Sequence, residues 1–179
     1  MYNLDDIKEE VIEKGFNELK QVRIDIGWHP VNSGFMTYGD LDMPRKRSYY
    51  IHVHPYLKKA EKQVIRGGVA HENSHIIKDM RLTRQEAEMD VKRYYLSKAY
   101  HVRDEICTDL DVINRGFGYE LLAFEFFRET NAYDNGYGMS STKIRQIIAI
   151  VEDFPFAFTY RDYLNLFGKD GGNGNEKKH

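Results

Sequence analysis

Strands gathered near the start of the chain and helices everywhere else predict an α+β fold. Three observations carry this. Residues 4–20 place apolar side chains at helical spacing. Three short stretches between residues 21 and 55 are rich in Val, Ile, Tyr and Phe, and the first alternates apolar with polar positions. Past Pro55 the helical period returns and persists. Elements segregated in this way favour α+β over a doubly wound sheet, which needs strands and helices in alternation.

The elements follow in order. Leu4, Ile7, Val11, Ile12, Phe16 and Leu19 line one face of a first helix over residues 4–20, with charges on the other face. In "QVRIDIGW", Val22, Ile24 and Ile26 recur at every second position, the mark of a half-buried strand. "GFMTYGDLD", aromatic and bounded by glycine, is a second strand, and "SYYIHVHP" is a third that Pro55 stops. The three are expected to form a small, mostly antiparallel sheet. Ile65, Val69, Ile76 and Met80 then mark one face of a helix. Thr83 with Glu86 is a capping box that opens another, running to Arg115, where "RGFG" stops it. "YELLAFEFFRET" and "STKIRQIIAIVEDF" are two further helices. Thr159 with Asp162 opens a last short one that Gly168 closes. Residues 169–179, rich in Gly and charge, have the composition of a flexible tail.

The chain has 179 residues, 41% of them hydrophobic, enough for one domain with a full core. A net charge of -2 without a basic stripe speaks against a nucleic-acid partner. The basic run "MPRKRSYY" is short and reads as a solvated loop. No stretch approaches the roughly 20 apolar residues of a membrane span, and the acidic N-terminus lacks a signal core. No nucleotide-binding glycine pattern appears. The single cysteine, Cys107, rules out an internal disulfide and suits a reducing compartment. The expectation is a soluble, cytoplasmic protein.

Chemistry concentrates in "VAHENSHIIKD". His71 and His75 are one helical turn apart, so both imidazoles can aim at one ion. Glu72, about a third of a turn away, can reach a water on that ion without binding the metal itself. This is the H-E-x-x-H arrangement, two ligands and a general base from one turn. The motif is short enough to arise by chance, and a catalytic zinc site needs a third protein ligand. Downstream, in "HVRDEICTD", Glu105 can supply a carboxylate oxygen and Asp109, four residues on, can accept the N–H of a ligand imidazole. Rivals for the third ligand are His101 on the same helix face and Glu86 and Glu88, closer in sequence to His75.

"HENSHIIKD" followed by "DEICTD" resembles the gluzincin zinc metallopeptidases, where a separate helix bearing E-x-x-x-D follows H-E-x-x-H. The resemblance implies Zn2+ held by His71, His75 and Glu105, with Glu72 as base and Asp109 supporting a ligand, His71 by preference. Asp79, four after His75, matches a further family pattern. The short span of 29 residues between His75 and Glu105 resembles the small archaeal minigluzincins. That likeness implies a zincin-like domain over residues 1–168, with its minimal layout in residues 4–116 and a helical C-terminal extension from about 117. Asn73 and Ser74 depart from the apolar character expected inside a buried motif helix. The family's oxyanion partner, a Tyr or His, has no motif to locate it, and His101 is one candidate.

The implied activity is zinc-dependent hydrolysis of peptide bonds in a protein or peptide substrate. Two other classes share the motif: a peptidase-like regulator that cleaves one partner, and a non-catalytic, zinc-stabilised interaction domain. "SYYIHVHP", the last strand before the motif helix, is the expected open edge for a substrate strand. Its His52 and His54 point to one side of an ideal strand and are candidates for a second metal site. The tail, ending in His179, is a candidate occupant of the cleft.

Overall fold

The computed structural model describes residues 2–31, 35–40, 48–131, 137–154 and 156–168. The "MPRKR" run and the tail at 169–179, with the cleft-blocking role considered for it, lie outside the described residues. Helix α1 spans Leu4–Gly15, opened by Asn3, whose side chain accepts the Asp5 amide. It is shorter than the periodicity over 4–20 predicts. Gly15 sits against Phe117 and the Arg115 carbonyl with no room for a Cβ. Phe16 then leaves helical dihedrals and packs its ring on Phe117, 5.6 Å between centroids. A 3-10 turn, Asn17–Leu19, still delivers Leu19 to the core, so the apolar spacing outlasts the helix.

Strands β1 (Arg23–Trp28), β2 (Phe35–Asp40) and β3 (Ser48–Val53) form one sheet in the order β1-β3-β2. β1 runs parallel to β3, Ile24 opposite Tyr49, and β2 runs antiparallel to it, Thr37 opposite Ile51. The sheet is therefore mixed, not mostly antiparallel, and β3 is its centre and not an edge. Alternation tells which face of a strand is buried but not which strands are neighbours. β3 takes the middle because its inner residues Tyr49, Ile51 and Val53 are all buried. The edge candidate for a substrate strand is thus not "SYYIHVHP".

Helix α2 (Lys62–Met80) is buried on almost every side, its polar residues included. Two adjacent glycines allow this. A Cβ on Gly67 would run into the Glu120 carbonyl of α5 (Gly118–Thr130), and one on Gly68 into the Phe35 ring of β2. The helix expected from Thr83 to Arg115 is two helices, α3 (Arg84–Leu96) and α4 (Lys98–Val112). The capping box of Thr83 and Glu86 opens α3. Ser97 breaks the run, leaving helical dihedrals and capping α4 by accepting the Tyr100 amide. A π-turn at Ile113–Phe117 follows, with Gly116 at φ 84, where a side chain would be strained. α6 (Ser141–Asp153) packs on α5, and the capped α7 (Tyr160–Phe167) buries Tyr163. The fold is α+β and mostly helical. No described helix is long and apolar enough to cross a membrane.

Candidate metal centre

α2 sets His71 and His75 one turn apart, and α4 brings Glu105 and Asp109 to them. His71 Nε2 lies 3.1 Å from His75 Nε2 and 3.4 Å from Glu105 Oε2, and His75 Nε2 lies 3.5 Å from Glu105 Oε1. A tetrahedral ion with bonds of about 2.0–2.1 Å separates its ligand atoms by about 3.3 Å. The two contacts to Glu105 use different oxygens of its carboxylate; with one ligand atom from each residue, the three atoms lie within 4.8 Å of one another, close enough to converge on a small cation.

Each histidine has a partner at Nδ1, so that Nε2 is the nitrogen turned toward the shared site. His71 Nδ1–H donates to Asp109 Oδ1 at 2.9 Å, and Asp109 Oδ2 accepts the Met139 amide at 2.8 Å. Thr108 donates its hydroxyl to the Asp104 carbonyl at 3.0 Å, so its Oγ1, 3.4 Å from His75 Nδ1, is left to accept. Asp104 Oδ2 stands 3.9 Å from the same nitrogen. Lys78 bridges Asp104 at 2.5 Å and Asp90 at 2.7 Å, and Tyr100 also donates to Asp90. Burial opposes the charge on Lys78, but the two carboxylates overrule it and hold the ammonium above its usual range.

The same contest sets the triad. Burial alone would lower the His71 pKa, but hydrogen bonds and charge from Asp109 and Glu105 raise it well above 6.5. Burial alone would raise Glu105, but His71, His75 and the Tyr94 hydroxyl hold its carboxyl far below the usual range. Tyr94 Oη donates to Glu105 Oε1 at 2.6 Å. Burial, Glu105 and Glu72 push that phenol up, so it stays a neutral donor. Glu72 is buried beside His71 and near enough to act on Tyr94.

No family model, curated protein or solved structure matches this chain.

The predicted residues His71, Glu72, His75, Glu105 and Asp109 are all buried or nearly so along the α2–α4 contact. The rivals are not ligands in this arrangement. His101 Nε2 stays 3.8 Å from Glu105 Oε1, and its ring is wedged between Tyr94 at 3.7 Å and Tyr137 at 3.9 Å. Glu86 serves the cap of α3 and Glu88 pairs with Arg84. His52 and His54 do not converge. His52 packs at 4.7 Å from the His29 ring on the outer face of the sheet, and His54 caps the next turn by accepting the Tyr56 amide.

Asn73 and Ser74 are buried despite their polarity. Ser74 Oγ donates to Asp111 Oδ2 at 2.8 Å, and Asp111 holds Arg115, which reaches the Gly15 carbonyl at 2.8 Å. This strut ties α2 to α4 and the end of α1. Asn73 is fully buried without a hydrogen-bond partner among the described residues, and nothing in the structure explains it. Asp79 accepts the Tyr49 hydroxyl at 2.7 Å, pinning α2 to β3.

Sequence reasoning missed Tyr94, Asp104, Thr108 and the Met139 amide. Asp104, Glu105, Thr108 and Asp109 follow an i, i+1, i+4, i+5 pattern, so helical spacing could have found Asp104 and Thr108. No spacing rule reaches Tyr94 across the break at Ser97, or Met139 beyond α5.

Proposed function

We propose that the protein is a zinc-dependent peptidase of gluzincin type on a zincin-like fold, acting on a protein or peptide substrate in the cytoplasm. The convergence of His71, His75 and Glu105, with Glu72 next to His71 on the same helix and Asp109 behind His71, carries this reading. The donor set, two imidazoles and one carboxylate, is that of a catalytic zinc site with one position left open.

A zinc ion held there would supply a Lewis acid that brings the pKa of a water down to about 7 and polarises a carbonyl. The chain's own residues do the rest. Asp109 and Thr108 keep the imidazoles turned so that both Nε2 lone pairs face inward. Glu72 takes a proton from the attacking water and hands it to the leaving amine. Burial of the cluster excludes competing water and strengthens these electrostatic contacts. β2, an edge strand whose Phe35 lies against Gly68 one turn before Glu72, is the edge along which an extended substrate would pair.

The test is zinc content together with hydrolysis of an unfolded protein such as casein, with and without chelator, in the parent and in Glu72→Gln. Stoichiometric zinc, chelator-sensitive cleavage and a metal-loaded but inert variant are expected. A protein that takes up no zinc would refute the site. Tight zinc without any cleavage would leave a metal-stabilised interaction domain in its place.

A further inference from the structure

Glu105 offers both its oxygens to the triad. Oε2 lies 3.4 Å from His71 Nε2 and Oε1 lies 3.5 Å from His75 Nε2, so the carboxylate straddles the two imidazoles. Nothing in that triangle decides whether one oxygen or both would reach an ion. The choice matters, because a second oxygen occupies the position that water or a substrate carbonyl needs.

A side chain from outside α2 and α4 makes the distinction. Tyr94, two residues from the end of α3, donates its hydroxyl to Oε1 at 2.6 Å, whereas Oε2 faces His71 Nε2. Its ring packs at a tilt on His101, 3.7 Å between centroids, and His101 in turn stacks on Tyr137 at 3.9 Å. The neighbouring Tyr95 is exposed and meets the Tyr94 ring edge-on, 5.5 Å between centroids. The phenol is therefore oriented by packing and has one acceptor, a short, charge-assisted one.

We infer that Tyr94 is a positioning residue that engages Glu105 Oε1 and restricts Glu105 to a single metal bond through Oε2, keeping the fourth position open. This rests on the metal-site reading above. A hydrogen bond to the outer oxygen of a ligating carboxylate fixes its orientation, as partners of metal ligands generally do. It also gives α3 a function. Only Ala87 of that helix is buried, so α3 adds little to the core and much to the site.

The experiment compares parent, Tyr94→Phe and Tyr95→Phe by zinc affinity in chelator competition and by the visible spectrum of the Co2+-substituted protein. Tyr94→Phe keeps the ring and its stack and removes only the hydroxyl. The expected result is a loss of zinc affinity of about 10–100-fold. The Co2+ bands should also weaken, as they do when a four-coordinate centre gains a second carboxylate oxygen. Tyr95→Phe should match the parent in both. An unchanged Co2+ spectrum in Tyr94→Phe overturns the inference, even with weakened affinity, because packing alone would then explain the loss. A parent that binds neither metal overturns the metal site itself, and this inference with it.

Discussion

Asp109→Asn isolates what the carboxylate behind His71 does. Asp109 is fully buried and accepts two donors, His71 Nδ1–H at 2.9 Å and the Met139 amide at 2.8 Å. Asparagine has the same shape but only one acceptor oxygen. If that oxygen turns to the Met139 amide, the NH2 group faces His71 Nδ1 and drives the imidazole proton onto Nε2, where a metal must bind. If it turns to His71, the tautomer is correct but the Met139 amide faces another donor. An unsatisfied buried donor costs about 1–3 kcal/mol. The metal-free variant is expected to settle with its oxygen on the backbone, because the imidazole can change tautomer and the amide cannot. Zinc binding then has to reverse the amide against that same 1–3 kcal/mol, a loss of about 5–150-fold in affinity. Chelator competition measures the loss, and 15N chemical shifts of the His71 ring report the tautomer in the metal-free state. Parent-like affinity in Asp109→Asn would show that His71 does not depend on this contact, and the reasoning would fail.

Three further outcomes follow from the same geometry. Glu72→Gln should keep its zinc and lose about 10²–10⁴-fold in peptide hydrolysis, measured on the loaded protein. Gly67→Ala should lower stability by about 1–3 kcal/mol in a denaturant titration, because its Cβ meets the Glu120 carbonyl of α5 and neither backbone can yield. Zinc affinity should rise by about tenfold per pH unit up to the raised pKa of His71, since burial is overruled there by Asp109 and Glu105 and the ion must displace a proton. Without metal the sign reverses. Charged His71 stabilises the fold fully below its unfolded pKa of about 6.5, and that stability fades as pH rises through the folded value. Calorimetric titration with zinc across pH and melts of the metal-free protein check the two signs.

Four of the five candidate residues were legible as two pairs, each within one helical turn, where spacing alone sets direction, and Glu72 adjoins the first pair. His71 with His75, and Glu105 with Asp109, needed no tertiary knowledge beyond the meeting of two helices. What the sequence hid is tertiary. Tyr94 reaches Glu105 only because Ser97 breaks the long helix and lets α3 fold back on α4. Met139 reaches Asp109 from beyond α5, 30 residues downstream. The order of the strands was hidden for a related reason. Period two assigns faces, whereas neighbours depend on which strand can bury its whole inner face, and that was β3. Phe16 and Leu19 fitted the helical period of α1 yet belong to a turn, since a 3-10 segment can present the same side chains.

Charge explains why such a site is carried on so deeply buried a helix. Glu72, Asp104, Glu105 and Asp109 are four buried carboxylates within a small volume. Lys78 pairs with Asp104 at 2.5 Å and shares its charge with Asp90 at 2.7 Å. The Glu125 and Arg128 pair is buried nearby and joined at 2.6 Å, yet burial pushes the Glu125 carboxyl up to about 8. Glu72, Glu105 and Asp109 face the two imidazoles. A protonated His71 offsets only one of them, and burying unbalanced charge is expensive. The raised His71 and the depressed Glu105 are the two sides of this strain: each is pulled toward charge because the other is charged. A dication in the triangle would offset two carboxylates and leave a single negative charge to Glu72, the residue proposed to take up a proton. On this reasoning a cation would serve the electrostatic balance of the α2–α4 contact as much as the proposed chemistry, and the stability of that contact would depend on metal binding.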